Sequence, residues 1–320
     1  MPDLVLARPL ALRPDDLARC AELHAAGSKS FAAASLLLPR RVREPATVLY
    51  AFCRIADDAV DDAGPAGSDA AVDELRERLD RIYRGDPADH PVDRALSEVV
   101  HRRAVPRALL DALLEGMAWD AEGRRYETLE DLYAYAARVA GTVGAMMTVL
   151  MGPRDEGVLA RACDLGVAMQ LTNIARDVGE DAARGRVYIP LAWLREVGLG
   201  PDELVAIGRD ARPDPRVATL VARLLAAADD LYARADLGVA HLPPDCRVAI
   251  RAARLIYSEI GDRIARAGHD SLTRRAVVPT WRKIWLLVRA VGARFAPARP
   301  VPQPALEPTR FLVAACQGAP

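Results

Sequence analysis

A chain of 320 residues, 51% of them hydrophobic, can bury one large core or two small ones. Its 43 basic and 44 acidic residues leave a net charge of −1, which gives no basis for holding a nucleic-acid backbone. Cysteines at 20, 53, 163, 246 and 316 form no CxxC pair and are odd in number, which argues for a reducing compartment and against a disulfide or zinc framework.

In chain order, MPDLVLARPLALRPDD lacks a signal peptide's apolar core, and no stretch approaches the ~20 uninterrupted apolar residues of a membrane span, so a cytoplasmic protein is expected. Residues 15–26 read as a first helix ended by Gly27. In the SKSF turn that follows, Ser28, Lys29 and Ser30 either offer hydrogen bonds and charge to a diphosphate or simply cap a helix running from Phe31 to Leu38. Pro39 stops that helix, and Pro45 suits a first turn, which places the next helix start near Glu44.

That next helix carries LYAFCRIADDAVDD, residues 49–62. Asp57 and Asp61 lie one turn apart, as do Asp58 and Asp62, so the carboxylates gather on one side. At roughly 6 Å and an effective dielectric near 20, two unscreened carboxylates repel by about 3 kcal/mol, so the cluster asks for a cation. Val48, Phe52, Ile55 and Ala59 make an apolar stripe, whereas Tyr50, Arg54, Asp57 or Asp58, and Asp61 fall on another. A hydroxyl, a guanidinium and paired carboxylates in line suit a wall that holds an anion through a metal; alternatively, the acidic run is a solvated helix end.

After a Gly/Pro break at AGPAGS, helices are expected over 69–84, 91–103 and 106–121, and no alternating strand pattern of useful length occurs. Residues 128–151 open with TLED, a capping-box spacing, and contain Gly141 and Gly144, each about 1 kcal/mol worse than Ala within a helix; close approach of a neighbouring helix or of a long apolar substrate would explain them. Within 155–183, Gln170, Asn173, Asp177 and Asp181 share one face, while Val167, Leu171, Ile174 and Val178 make a separate apolar face. Two acidic faces, each with an arginine close by, can share hard divalent cations, which points to Mg2+ with a diphosphate. Arg184, Arg186 and Tyr188 either bind that diphosphate or neutralise Asp177 and Asp181. Helices follow at about 213–240 and 245–267. The last helix, TWRKIWLLVRAVGARF, sets Trp281, Ile284, Trp285, Val288 and Val291 against Arg282, Lys283 and Arg289; it is expected to pack into the core, with a membrane surface as the alternative. Residues 296–320 read as a proline-rich tail that does not fold on its own, so the helical domain is placed at 1–295.

Five stretches in order, SKSF (28–31), ASLLLPRRVREPATVLYAFCRIADDAVDD (34–62), RVAGTVG (138–144), LTNIARDVGEDAARGRVYIP (171–190) and AARLIYSEIGDRI (252–264), resemble the squalene and phytoene synthase family, with bacterial carotenoid-pathway members nearest in tone. The likeness runs from about residue 20 to 290. It implies an all-α, single-domain isoprenoid synthase-type bundle around a central apolar cavity. It also implies head-to-head condensation of two geranylgeranyl diphosphates, with Asp57, Asp58, Asp61, Asn173, Asp177 and Asp181 holding Mg2+, or Mn2+ in its place, and Tyr50, Arg54 and Arg176 assisting. Ser28, Ser30, Phe31, Tyr135, Gln170, Tyr257 and Arg274 are implied substrate contacts, the arginine with Arg275 as its neighbour. No NADPH is expected. Contact with downstream carotenoid enzymes and a peripheral contact with the inner membrane are expected.

Asp58 stands where many relatives carry Glu, and Asp62 is an extra acid. A small Thr47 one turn before Tyr50 favours the twenty-carbon substrate over farnesyl diphosphate. Alternatives are a squalene or dehydrosqualene synthase, a terpene cyclase, and a non-catalytic helical assembly protein, which would be expected to lose acids that this chain keeps.

Overall fold

Prolines mark where most helices begin. The computed structural model describes residues 10–26, 34–295, 297, 298, 300, 301 and 303–318, and at residues 61, 65 and 66 the backbone alone. The helices are α1 (Pro14–Ala26), α2 (Arg40–Arg84), α3 (Pro91–Arg103), α4 (Arg107–Ala121), α5 (Leu129–Ala136), a π-helical turn (Ala137–Gly141), α6 (Thr142–Met151), α7 (Glu156–Ala183), α8 (Leu191–Glu196), α9 (Pro201–Asp210), α10 (Pro215–Val239), α11 (Pro244–Arg266), α12 (Thr280–Ala290) and α13 (Arg310–Gln317), with 3₁₀ turns at Val291–Phe295 and Glu307–Thr309. No strand occurs among the described residues. Proline's fixed φ suits a first helical turn, where its missing N–H would have no partner anyway.

The acidic helix α2 starts at Arg40, not near Glu44, because Pro39 in extended conformation serves as its N-cap. Pro45 therefore lies inside the helix and cannot donate to the Arg41 carbonyl. Arg103 from α3 donates to that carbonyl at 3.4 Å instead. The expected break after Asp62 is a kink: Gly64, at φ 63° and ψ −179°, interrupts the helical backbone.

Helix α7 is central, packed against α6, α9, α10 and α11, while α2 packs on α1, α3 and α4. The crossing of α6 and α7 requires glycine. A Cβ at Gly144 would stand 2.1 Å from the Ala162 carbonyl oxygen, and one at Gly166 would stand 2.2 Å from that of Ala140. Thr128 and Asp131 close the capping box that starts α5. The stretch Leu129–Met151 is long enough and on average apolar enough to cross a membrane, although Glu130, Asp131 and Arg138 interrupt it, and 61% of its most apolar window is buried inside the protein. It is a core segment.

The carboxy-terminal residues also differ from the expected tail. Arg161, fully buried, donates to the Gln303 carbonyl and side-chain oxygen, each at 3.2 Å, and to the Pro304 carbonyl at 3.0 Å. Asp164 bridges Arg161 at 2.8 Å and Arg234 at 3.0 Å. This strap at Gln303 and Pro304 lacks helical partners for its own carbonyls, and the buried Arg161 with the half-buried Arg234 satisfies them. Beyond it, α13 buries Leu312, Val313 and Cys316 in the main core. Helix α12 is core-packed on one side alone, through Leu286 and Ala290.

Replacing Gly166 by Val should destabilise the fold by about 3 kcal/mol or more, since neither backbone can retreat without moving a helix. Denaturant unfolding measures this; a loss under 1 kcal/mol would mean that α7 does not cross the π-helical turn so closely.

Candidate active site

Arg54 organises the acidic end of the first half of α2. Its guanidinium lies 3.5 Å from Asp57 and 2.5 Å from Asp58, one turn along the helix. Tyr50, a turn earlier, is partly buried with its ring 4.6 Å from that of His24. Burial of Phe52 and Ala56 fixes which side of α2 faces the core and leaves the carboxylates toward solvent. Asp62 is exposed.

On α7 the apolar face of Val167, Leu171, Ile174 and Val178 is buried, which turns the polar face outward. Gln170 and Asn173 come first, their amides 3.5 Å apart. Asp177 is gripped by Arg176 at 2.8 and 2.5 Å and by Arg275 at 2.8 and 3.3 Å. Burial would push its carboxyl up, but the hydrogen bonds and charge of both arginines outweigh this and hold it below the usual range. Asp181 has no such grip: burial, then the Asp177 charge, push it up to about 7 against the pull of Arg186. The arginine that reaches this helix is thus Arg275, which also lies 3.2 Å from Glu180, while Arg274 is exposed beside Asp270.

A third acid completes the site. Asp120, at the end of α4, accepts hydrogen bonds from Tyr135 and Tyr188, both at 2.7 Å and one on each oxygen. The rings of Tyr135 and Tyr188 stack at 5.3 Å, and Tyr126 packs 5.2 Å from Tyr135. Burial pushes Asp120 up to about 6; the two tyrosine bonds and Arg186 oppose this, and the Asp57 charge adds to it. Asp120 in turn raises Asp181, so it is close enough to feel both acidic helices. Tyr135, implied as a substrate contact, turns its hydroxyl to Asp120 and does not line the apolar cavity described below. A lone Asp in EGMAWDAEG gives no periodic signal, and its tyrosines come from residues 15 and 68 positions away. The π-helical turn that begins two residues after Tyr135 is one local mark of a functional segment.

Behind Gln170 and Asn173 lies an apolar cavity walled by Val139, Val143, Met147, Met151, Leu165 and Met169, closed on another side by Ile250 and Tyr257 of α11. Its lining follows α7 from Val158 to Asn173, about 22 Å at 1.5 Å per residue. Thr47 is buried and does not line it. Ser28, Lys29, Ser30 and Phe31 fall outside the described residues.

No group of three or more acids among the described residues forms a ready-made metal cage. The donor chemistry still fits Mg2+, which commonly takes one or two carboxylates with water and phosphate oxygens. Asp120 and Asp181, crowded by neighbouring acids and raised in pKa, are the groups that a cation would relieve.

Residues 24–282 match the model of the squalene/phytoene synthase family. The chain belongs to the squalene/phytoene synthase family. It is 54% identical over 296 residues to the phytoene synthase of Cereibacter sphaeroides, covering 89% of this chain and 82% of that one. The 15-cis-phytoene synthase of a Paracoccus species is 43% identical over 82% of this chain and 86% of its own. Among solved structures, a dehydrosqualene synthase bound to a ligand superposes with a TM-score of 0.78 at 32% identity, over 86% of this chain and 95% of that chain. The all-α fold around an apolar cavity agrees with the expectation from the resemblance.

Asp120 and Asp181 hold protons more tightly folded than unfolded, so the stability they lend is present below about pH 4 and is lost as pH rises through about 6 to 7. In metal-free protein, Asp181→Asn should raise stability at pH 8 by roughly 2 kcal/mol, about half the full-shift value because the site meets solvent, and by much less at pH 5. Calorimetry at both pH values checks this; an equal effect at both would refute the crowding of Asp181.

Proposed function

We propose that the protein joins two geranylgeranyl diphosphates head to head to give phytoene, with a cyclopropylcarbinyl diphosphate as intermediate. The observation that carries this reading is two acidic helix faces, α2 with Arg54 and α7 with Arg176 and Arg275, that both act on Asp120, with a long apolar cavity behind Gln170 and Asn173 of α7. The 54% identity to a phytoene synthase supports it.

Arg54, Arg176 and Arg275, which rest on carboxylates, supply guanidinium groups to the diphosphate oxygens. Asp57, Asp58, Asp61, Asn173, Asp177 and Asp181 would hold Mg2+, or Mn2+, which would supply positive charge to each leaving diphosphate. The first donor then ionises to an allylic cation, which alkylates the second molecule; loss of one proton closes the cyclopropane. A second ionisation, rearrangement and loss of another proton give the hydrocarbon and two diphosphates, without NADPH. The methionine and valine wall keeps water from the cations. Tyr135 and Tyr188, with protons held on the Asp120 oxygens, hold that carboxylate in place beneath the metal-binding acids. The reading places the enzyme in the cytoplasm, peripheral to a membrane and in contact with the next carotenoid enzymes.

Incubation with Mg2+ and geranylgeranyl or farnesyl diphosphate, with and without NADPH, should yield a forty-carbon hydrocarbon from the longer substrate alone and independently of NADPH. A thirty-carbon product would move the reading to the squalene branch. Asp57→Ala and Asp177→Ala should each lower kcat by about 10³ or more with an unchanged circular dichroism spectrum; retained turnover in both would sink the assignment of these carboxylates.

A further inference from the structure

Helix α12 is apolar on two opposite sides, and the protein covers one of them. Leu286 and Ala290 are buried on Ala252, Leu255 and Ile256 of α11. The outer ridge consists of Trp281, Ile284, Trp285, Val288, Val291 and Phe295, with exposures of 67% at Trp281, 67% at Val288 and 80% at Phe295. These positions recur every three or four residues and form one continuous stripe. An exposed patch of this kind marks an interaction surface.

Charge selects the partner. From Ser271 to Leu306 the chain has seven basic residues and no acidic one, within a protein of net charge −1. Arg275 is engaged by Asp177, and Arg282 by Glu259 at 2.7 Å. Lys283, Arg289 and Arg294 have no acidic partner among the described residues, and Arg289 lies over the Trp285 ring at 5.1 Å. A second copy seated two-fold on this ridge would set these cations against themselves. An anionic, apolar surface satisfies both the ridge and its charges.

Position adds a purpose. The opposite side of α11 lines the cavity through Ala249, Ile250, Ala253 and Tyr257, so a single helix separates the ridge from the hydrocarbon cavity. The Arg41–Asp245 ion pair at 2.5 Å and the Arg247 bond to the Arg294 carbonyl at 3.3 Å bring the exposed Leu36 and Leu37 segment and the end of the ridge to the same end of α11.

We propose that α12 and the 3₁₀ turn after it lie in the interface of an anionic lipid bilayer, with Trp281, Ile284, Trp285 and Val288 among the acyl chains and Lys283, Arg289 and Arg294 at the headgroups. The helix holds the cavity one helix diameter from the leaflet. This purpose rests on the proposed condensation of long prenyl chains; the docking itself does not.

The test uses the full chain with vesicles of phosphatidylcholine alone or mixed with phosphatidylglycerol, read by co-sedimentation and tryptophan emission. Binding to the anionic vesicles should be about tenfold tighter or more, should weaken with salt and should shift emission to the blue. Trp281→Glu with Val288→Glu, and separately Lys283→Glu with Arg289→Glu, should each weaken binding by about tenfold or more. Hydrocarbon formation from substrate in detergent micelles should stay within about twofold of wild type in both, which shows that the variants fold. Wild-type protein that ignores anionic vesicles, variants that bind like wild type, or a stable dimer split by Trp281→Glu without vesicle binding would each overturn the docking. Vesicle binding without any hydrocarbon product would overturn the proposed condensation and leave the docking standing.

Discussion

Four carboxylates, Asp57, Asp120, Asp177 and Asp181, stand close enough at one end of an apolar cavity for each to feel another's charge. In a partly dry site such crowding is unfavourable unless cations answer it. The chain answers unevenly. Asp57 and Asp58 have Arg54, and Asp177 has Arg176 and Arg275, whereas Asp120 has two tyrosine hydroxyls and the charge of Arg186, and Asp181 the charges of Arg186 and Arg184. On the proposed function, divalent cations would make up that shortfall of positive charge, and the arginines would answer the charge of the diphosphate.

The fold exists to hold that imbalance still. Gly144 lets α6 touch α7 backbone to backbone, and Gly166 does the same for the π-helical turn before α6, which fixes the cavity wall. Arg103 satisfies the Arg41 carbonyl that Pro45 leaves open, which keeps α2 helical upstream of its acidic end. At the opposite end of the cavity lining, Arg161 and Arg234 clamp the strap at Gln303 and Pro304. Polar networks of this sort are stable only when nearly every group is satisfied, and they act as fixed points around a cavity that must remain soft and apolar.

Much of this was legible in the sequence because it is local. The span 91–103 begins with Pro91 and ends at Arg103 as read, and the α7 faces follow directly from 3.6-residue spacing. What could not be read is what depends on distant chain segments. Asp120 has no periodic neighbour to announce it, and its partners become partners through folding. Arg274 and Arg275 are adjacent, so the choice between them depends on the local backbone leading away from the Asp270 turn. The proline-rich terminus has no helical pattern at 296–306, yet the buried Arg161 guanidinium holds Gln303 and Pro304 in place. On α12 the apolar pattern was plain, but pattern alone does not say which of two apolar sides the protein covers.

The account turns on a cation and a diphosphate bridging α2 and α7. The most direct measurement is a crystal structure with Mn2+ and a non-ionisable thiodiphosphate analogue of the prenyl substrate, using the anomalous signal of the metal. Metal peaks between Asp57, Asp58 or Asp61 on one side and Asn173, Asp177 or Asp181 on the other, with arginine guanidinium groups turned to the diphosphate, are the predicted result. Metal confined to one helix, or a diphosphate held away from both, would contradict it.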